Sequence, residues 1–119
     1  MPKHSFCHIE LPATNAKQSS EFYAALFGWP IMKMEGMEYY LFGAQDGGVY
    51  GGISEVEKII SDPQVCSYVE VEDINAILKK AESLGAKTTR PRTEIPGGHG
   101  FFGVFKDPQE FYLGVWSKS

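Results

Sequence analysis

Cysteine is nearly absent. Cys7 and Cys66 are the only two among 119 residues, too few for a disulfide framework, so two reduced thiols are expected. No apolar run approaches the roughly 18 residues that a membrane-spanning helix needs. The opening "MPKHSF" lacks a signal-type apolar stretch, and the cytoplasm is the expected compartment. A basic stripe is missing too. The net charge is −4, and the eleven lysines and arginines are dispersed apart from Lys79–Lys80 and Arg90/Arg92, which argues against a nucleic-acid footprint. What remains has the composition of a soluble globular chain, 43% hydrophobic and 22% charged, and its length suits one domain. Aromatics make up 13%, more than a small core requires, so some are available to line a pocket.

Organisation begins with "SFCHIEL". Cys7, Ile9 and Leu11 alternate with Phe6, His8 and Glu10, which predicts a half-buried strand with an aliphatic face and a wetter His/Glu face. Asn15 is placed to cap a helix, with Gln18 three residues on. Ser19, Phe22, Tyr23, Leu26 and Phe27 recur at helical spacing before Gly28 stops the pattern. Residues 30–53 have strand character interrupted by turns. "EYYLFGA" is aromatic, "QDGG" signals a turn, and "VYGGI" is a strand with little bulk. Glycines inside a strand, as at Gly51 and Gly52, mark a bulge or a close approach by backbone or ligand. "SEVEKIISDP" is the expected connector, with room for a helical turn.

A second copy of this plan starts at Val65. Val65, Ser67, Val69 and Val71 alternate with Cys66, Tyr68 and Glu70; Asp73 can cap a helix striped by Ile74, Ile77, Leu78, Ala81 and Leu84; Gly85 ends it. Gly28 and Gly85 lie 57 positions apart (85 − 28), about half the chain, as a two-fold repeat requires. "AKTTRPRTEI", "GFFGVFKDP" and "EFYLGVW" supply three more strands, the first two separated by the loop "PGGHG". The order β-α-β-β-β, twice, defines an α+β chain. The expected modules are about 1–60 and 61–119.

"HIELPATNAKQSSEFYAALFGW", "GGVYGGI", "YVEVEDINAILKKAESLGA", "IPGGHG" and "DPQEFYLGVW", in that order, resemble the vicinal-oxygen-chelate superfamily of glyoxalase I, bleomycin- and fosfomycin-resistance proteins and extradiol dioxygenases. The resemblance covers nearly the whole chain. It implies two βαβββ modules forming an eight-stranded, open, cup-shaped mixed sheet, and a homodimer. In metal-dependent relatives the cup holds a divalent ion at four symmetric strand positions, three or four of them His or Glu, and the ion acts as a Lewis acid on adjacent substrate oxygens. Carried onto this chain, the first position is His8. The second falls on Tyr50, Gly51 or Gly52, the third on Cys66 or Ser67 with alternation favouring Cys66, and the fourth on Gly114. One conventional ligand of four does not hold an ion, since catalytic sites use about three protein ligands.

The expected function is therefore a metal-independent small-molecule-binding protein of the glyoxalase/bleomycin-resistance type. It takes no cofactor, no nucleic acid and no membrane, and its pocket is lined by His8, Glu10, Tyr50, Tyr68, Glu70, Tyr112 and Trp116. Simpler readings stand beside this one. His8 also fits a satisfied strand histidine, Glu10 and Glu70 solvated strand charges, Cys66 an inert thiol, the aromatics dimer packing, and "PGGHG" with His99 a plain flexible turn. The alternatives for the whole chain are a metal-dependent lyase, isomerase or dioxygenase of the same superfamily, and a dimeric scaffold with a filled cup.

Overall fold

The computed structural model describes residues 4, 6–43, 49–60 and 67–119. Two compact units, Met1–Ile59 and Ile60–Ser119, repeat one plan. The first runs β1 (His8–Ala13), α1 (Ala16–Phe27), β2 (Ile31–Lys33), β3 (Tyr39–Phe42) and β4 (Tyr50–Glu55). The second runs β5 (Tyr68–Glu70), α2 (Ile74–Ser83), β6 (Lys87–Glu94), β7 (Phe101–Lys106) and β8 (Tyr112–Ser117). The class is α+β with two βαβββ modules. The eight strands divide into two four-stranded mixed sheets ordered β1-β4-β3-β2 and β5-β8-β7-β6, neither closed into a barrel. In each, the first strand lies parallel to the last while the other neighbours are antiparallel. No described helix is long and apolar enough to cross a membrane.

Helix α1 starts where Asn15, in extended conformation, accepts from the Gln18 amide through Oδ1 at 3.0 Å. Glu55, from the end of β4, accepts from the Ala16 amide at 3.0 Å. Two of the four amides that a helix start leaves unpaired are thereby satisfied by side chains. The helix stops at Gly28, whose φ of 72° is left-handed and whose amide closes onto the Ala24 carbonyl. Its inner face covers β4, β3 and β1. Leu11, Ala13, Phe22, Tyr23, Leu26, Tyr40, Phe42 and Ile53 are buried there. An aromatic cluster closes one side: Trp29 stacks on Phe42 at 4.4 Å and on Tyr23 at 5.5 Å between ring centroids.

Helix α2 is capped by Asp73, which accepts from the Ala76 amide at 3.0 Å. It ends one residue before the expected glycine. Leu84 is the C-cap, and Gly85 takes the positive φ of 102°. Ile74, Leu78 and Ala81 pack on the face that carries Phe105, Leu113 and Val115, and Gly103 leaves room for Ile74 and Leu78. The "DP" turn is built by Asp107. Its carboxylate accepts from the amides of Gln109 and Phe111 at 2.8 and 3.0 Å, which turns β7 into β8.

Two local expectations are revised. The connector holds no helical turn over its described residues 54–60, because Ser54 and Glu55 complete β4. The "PGGHG" loop is a pinned turn, not a plain flexible one. Trp116 Nε1 donates to the His99 carbonyl at 2.8 Å, and any side chain at Gly100 would overlap Ser117 and the Trp116 indole. The "QDGG" turn and the start of the second module at Val65 and Cys66 lie outside the described residues.

Candidate functional site

Period-two alternation sends one side of each sheet to a helix and leaves the other open. On the first sheet the open side carries His8 and Glu10 from β1, Tyr50, Gly52 and Ser54 from β4, Tyr39 and Leu41 from β3, and Met32 from β2. Here three polar groups converge. The Tyr39 phenol donates to Glu10 Oε2 at 2.5 Å, and His8 Nε2 lies 2.8 Å from the same phenol oxygen. His8 Nε2 is also 3.4 Å from Glu10 Oε2. The His8 and Tyr39 rings are nearly parallel, 13° apart.

Proton accounting fixes the tautomer. A phenol has one hydrogen and Tyr39 gives it to Glu10, so the hydrogen in the His8 contact sits on Nε2. Neutral His8 then keeps an acceptor lone pair on Nδ1, for which no partner exists among the described residues. Burial, followed by the hydrogen bond to and the charge of Glu10, raises the Tyr39 pKa from 10.0 to about 12. Tyr39 is consequently a neutral donor at ordinary pH. The cluster offers one carboxylate, one phenol oxygen and one imidazole nitrogen: a hydrogen-bonding anchor, and a set that can hold or pass a proton.

The glycine pair in β4 explains how the cluster is seated. A Cβ at Gly51 would overlap Phe42 and the Ile9 carbonyl on the helix side. A Cβ at Gly52 would overlap the Tyr39 ring on the open side. Each glycine admits one aromatic ring, on opposite faces. An open groove of about 610 Å³ borders Tyr39, with Ser54 and Met37 on its walls and Glu38, Glu55 and Glu57 among its lining.

On the second sheet the open side carries Tyr68 and Glu70 from β5, Tyr112, Gly114 and Trp116 from β8, Phe102, Val104 and Lys106 from β7, and Arg90 from β6. Tyr68 covers Gly114, where a Cβ would overlap its ring, and meets Phe102 edge-on at 6.3 Å. Glu70 is exposed at the sheet edge opposite Trp116. Thus the seven residues predicted for a pocket fall on two open faces: His8, Glu10 and Tyr50 on the first, Tyr68, Glu70, Tyr112 and Trp116 on the second. Of these, His8 and Glu10 are drawn together by a residue the sequence reading did not single out, Tyr39. The signal for it was the Gly51–Gly52 pair, which announces that rings lie close over the strand.

Register gives the internal equivalences. Glu10 sits opposite Gly52, then Leu41, then Met32. Tyr68 sits opposite Gly114, then Val104, then Arg90. Glu10 and Tyr68 each precede their helix cap by five positions (15 − 10 and 73 − 68). Gly52 is therefore the counterpart of Gly114, and Tyr39 of Phe102.

The architecture of paired βαβββ modules, each with one helix-covered and one open sheet face, is that of a known α+β class. A family model for the Glyoxalase/Bleomycin resistance protein/Dioxygenase superfamily matches residues 5–115, and the chain belongs to that superfamily. Solved structures agree on the fold. A hypothetical protein from S. aureus is 18% identical, covering 97% of each chain, with a TM-score of 0.72. The fosfomycin resistance protein FosX of Listeria monocytogenes is 14% identical over 97% of this chain and 93% of its own, with a TM-score of 0.77. A glyoxalase/bleomycin resistance protein/dioxygenase family enzyme from Burkholderia phytofirmans PsJN is 14% identical over 94% and 97%, with a TM-score of 0.76. No curated protein sequence matches the chain.

The superfamily resemblance raises a divalent ion, and the four symmetric positions do not fit one. Equivalence with Gly114 narrows the second position to Gly52, so two positions have no side chain and both lie beneath tyrosine rings. Cys66, at the third, lies outside the described residues. His8 at the first turns Nε2 to Tyr39 and Glu10. Among the described residues no three His, Cys, Asp or Glu side chains cluster as a metal site would require.

Proposed function

We propose that the protein is a metal-independent small-molecule-binding member of its superfamily, and that the His8–Tyr39–Glu10 cluster is the polar anchor for its ligand. The observation that carries this reading is the cluster itself. A metal-ligand position is taken up by a hydrogen-bonded network, on a sheet face whose neighbours are Met32, Leu41 and Tyr50. Small-molecule sites combine a mostly apolar and aromatic lining with a few placed polar groups. Met32 and Tyr50 are 63% and 62% exposed, so that lining is accessible. The ligand this anchor suits presents a hydrogen-bond donor to His8 Nδ1 or Glu10. Homodimerisation and a cytoplasmic location belong to the same reading.

A thermal-shift screen of metabolites, paired with metal analysis of the purified protein, tests it. Ligands that raise the melting temperature of the native protein should lose about tenfold in affinity in Tyr39→Phe, a loss worth roughly 1.4 kcal/mol. A stoichiometric divalent ion that disappears in His8→Ala would overturn the proposal in favour of a metal-dependent lyase, isomerase or dioxygenase.

A further inference from the structure

We infer that the β2–β3 hairpin is a site for a soft monovalent metal ion, Cu(I) or its analogue Ag(I), held by the thioethers of Met32, Met34 and Met37. Three of the four methionines in the chain fall within these six positions, as "MKMEGM". They are not core fillers. Met32 and Met37 are 63% and 51% exposed, and Met34 is part-buried. A thioether carries no proton to lose and is a soft donor, so it selects Cu(I) where carboxylates and carbonyls select harder ions.

The hairpin gathers the three side chains around one stretch of β3. Met32 pairs with Leu41. The Met34 amide donates to the Tyr39 carbonyl at 2.8 Å, which continues that ladder, so Met34 shares the side of Met32. Two positions along a strand are about 7 Å apart, a gap that two unbranched, freely rotating methionine side chains can close. Met37 comes from the turn and lines a groove with Tyr39. The turn itself is fixed. Lys33 Nζ donates to the carbonyls of Met34 and Met37 at 3.4 and 3.0 Å, and Gly36 supplies a left-handed φ of 81°. One ammonium thus ties the backbone of Met34 to that of Met37, which reduces the ordering that ion binding must impose.

Charge favours a cation here. Lys33 is the only basic residue between Pro30 and Phe42, and Glu35 and Glu38 lie in the same turn as Met37. Their field draws positive ions to the hairpin. A hard divalent ion would not stay, since among the described residues no three His, Cys, Asp or Glu side chains group there or elsewhere. The thioethers are the donors that remain.

The probe is Ag(I), titrated in chloride-free buffer into the full chain labelled with methyl-13C methionine. Cys7→Ser and Cys66→Ser are included so that thiols do not capture the ion. The methyl signals of Met32, Met34 and Met37 should shift together and saturate at equimolar Ag(I), while Zn(II) should leave all three in place. Met34→Leu and Met37→Leu, which conserve volume, should each weaken Ag(I) at least tenfold and leave the melting temperature of the metal-free protein unchanged. Tyr39→Phe and His8→Ala should bind Ag(I) as the parent does, so this site stands or falls apart from the His8 cluster. A shift of fewer than three methyl signals, no saturation, an equal response to Zn(II), or undiminished affinity in either leucine variant overturns the inference and leaves the methionines as apolar lining.

Discussion

In the first module Gly52 lies under the ring of Tyr39, and in the second its counterpart Gly114 lies under Tyr68. The backbone device is the same, a glycine that admits a tyrosine to the open side of the sheet, but the tyrosines come from different strands. Tyr39 arrives from β3 with its hydroxyl between His8 and Glu10. Tyr68 arrives from β5, at the position Glu10 occupies in the other module, and meets an aromatic edge. One face becomes a hydrogen-bonding cluster and the other an aromatic face with an arginine. Duplicated backbones diverge by single side chains at equivalent rungs, and the chemistry follows the side chains.

The inner faces offer the strongest test of that equivalence. Leu113 is the register counterpart of Gly51, since β8 and β4 align at Gly114 and Gly52. The second module fills with a leucine, 1% exposed, what the first fills with the Phe42 ring. Leu113→Ala should therefore destabilise by about 3 kcal/mol through lost burial and a residual cavity. Gly51→Ala should cost about 2 kcal/mol for the opposite reason, overpacking. Urea denaturation of both variants checks this, and a negligible cost at Gly51 would mean that the modules fill this rung in the same way.

Alkaline titration separates the two open faces next. Tyr39 keeps its proton from 10.0 up to about 12 in the folded state. Its contribution is complete below pH 10, where the unfolded phenol is also protonated, and is lost as pH rises through 10 to about 12. Solvent screening of this exposed pair holds the loss to about 1 kcal/mol. Stability measured across that window should fall less steeply in Tyr39→Phe than in the native protein. The slope left over includes Tyr40, raised by its burial and then by the charges of Glu38, Glu21 and Glu55. Equal slopes would remove the Tyr39–Glu10 bond from the account.

Helix caps come next in size. Helix α1 has two side chains on its first amides, Asn15 and Glu55, whereas Asp73 serves α2. Asp73→Ala should cost about 1 kcal/mol, and Asn15→Ala about half of that because Glu55 remains. The smallest effect belongs to Lys106–Glu110, exposed at 32% and 79% of side-chain area. Glu110→Ala should move stability by less than about 0.5 kcal/mol.

Much of the fold was legible in the sequence because it depends on local periodicity. The alternation of Cys7, Ile9 and Leu11 with His8 and Glu10, the caps at Asn15 and Asp73, and the stop at Gly28 depend on neighbours a few residues away. Their spacing therefore survives in the linear text. The "PGGHG" loop was misjudged for a related reason. Three glycines look permissive when only the backbone is considered, but Gly100 is needed because Trp116, sixteen positions later, leaves no space for a side chain.

The site was legible only in part. His8 and Glu10 are two apart on one strand, so their shared face follows from the pleat. Nothing local to either residue announces Tyr39, 31 and 29 positions away. The same holds for Arg90, which the sequence showed merely as one of two nearby arginines; the bulged register of β6 decides that it faces Phe102 and Val104.

By itself, then, the sequence determined the duplicated βαβββ order, the caps and the division of each strand into an inner and an outer face. These are set by spacing within a dozen residues. Only the tertiary structure decided which rings lie over Gly51, Gly52 and Gly114, and which proton sits between His8 and Glu10. Those outcomes depend on strand register across tens of residues, where a one-residue slip would turn every side chain to the other face.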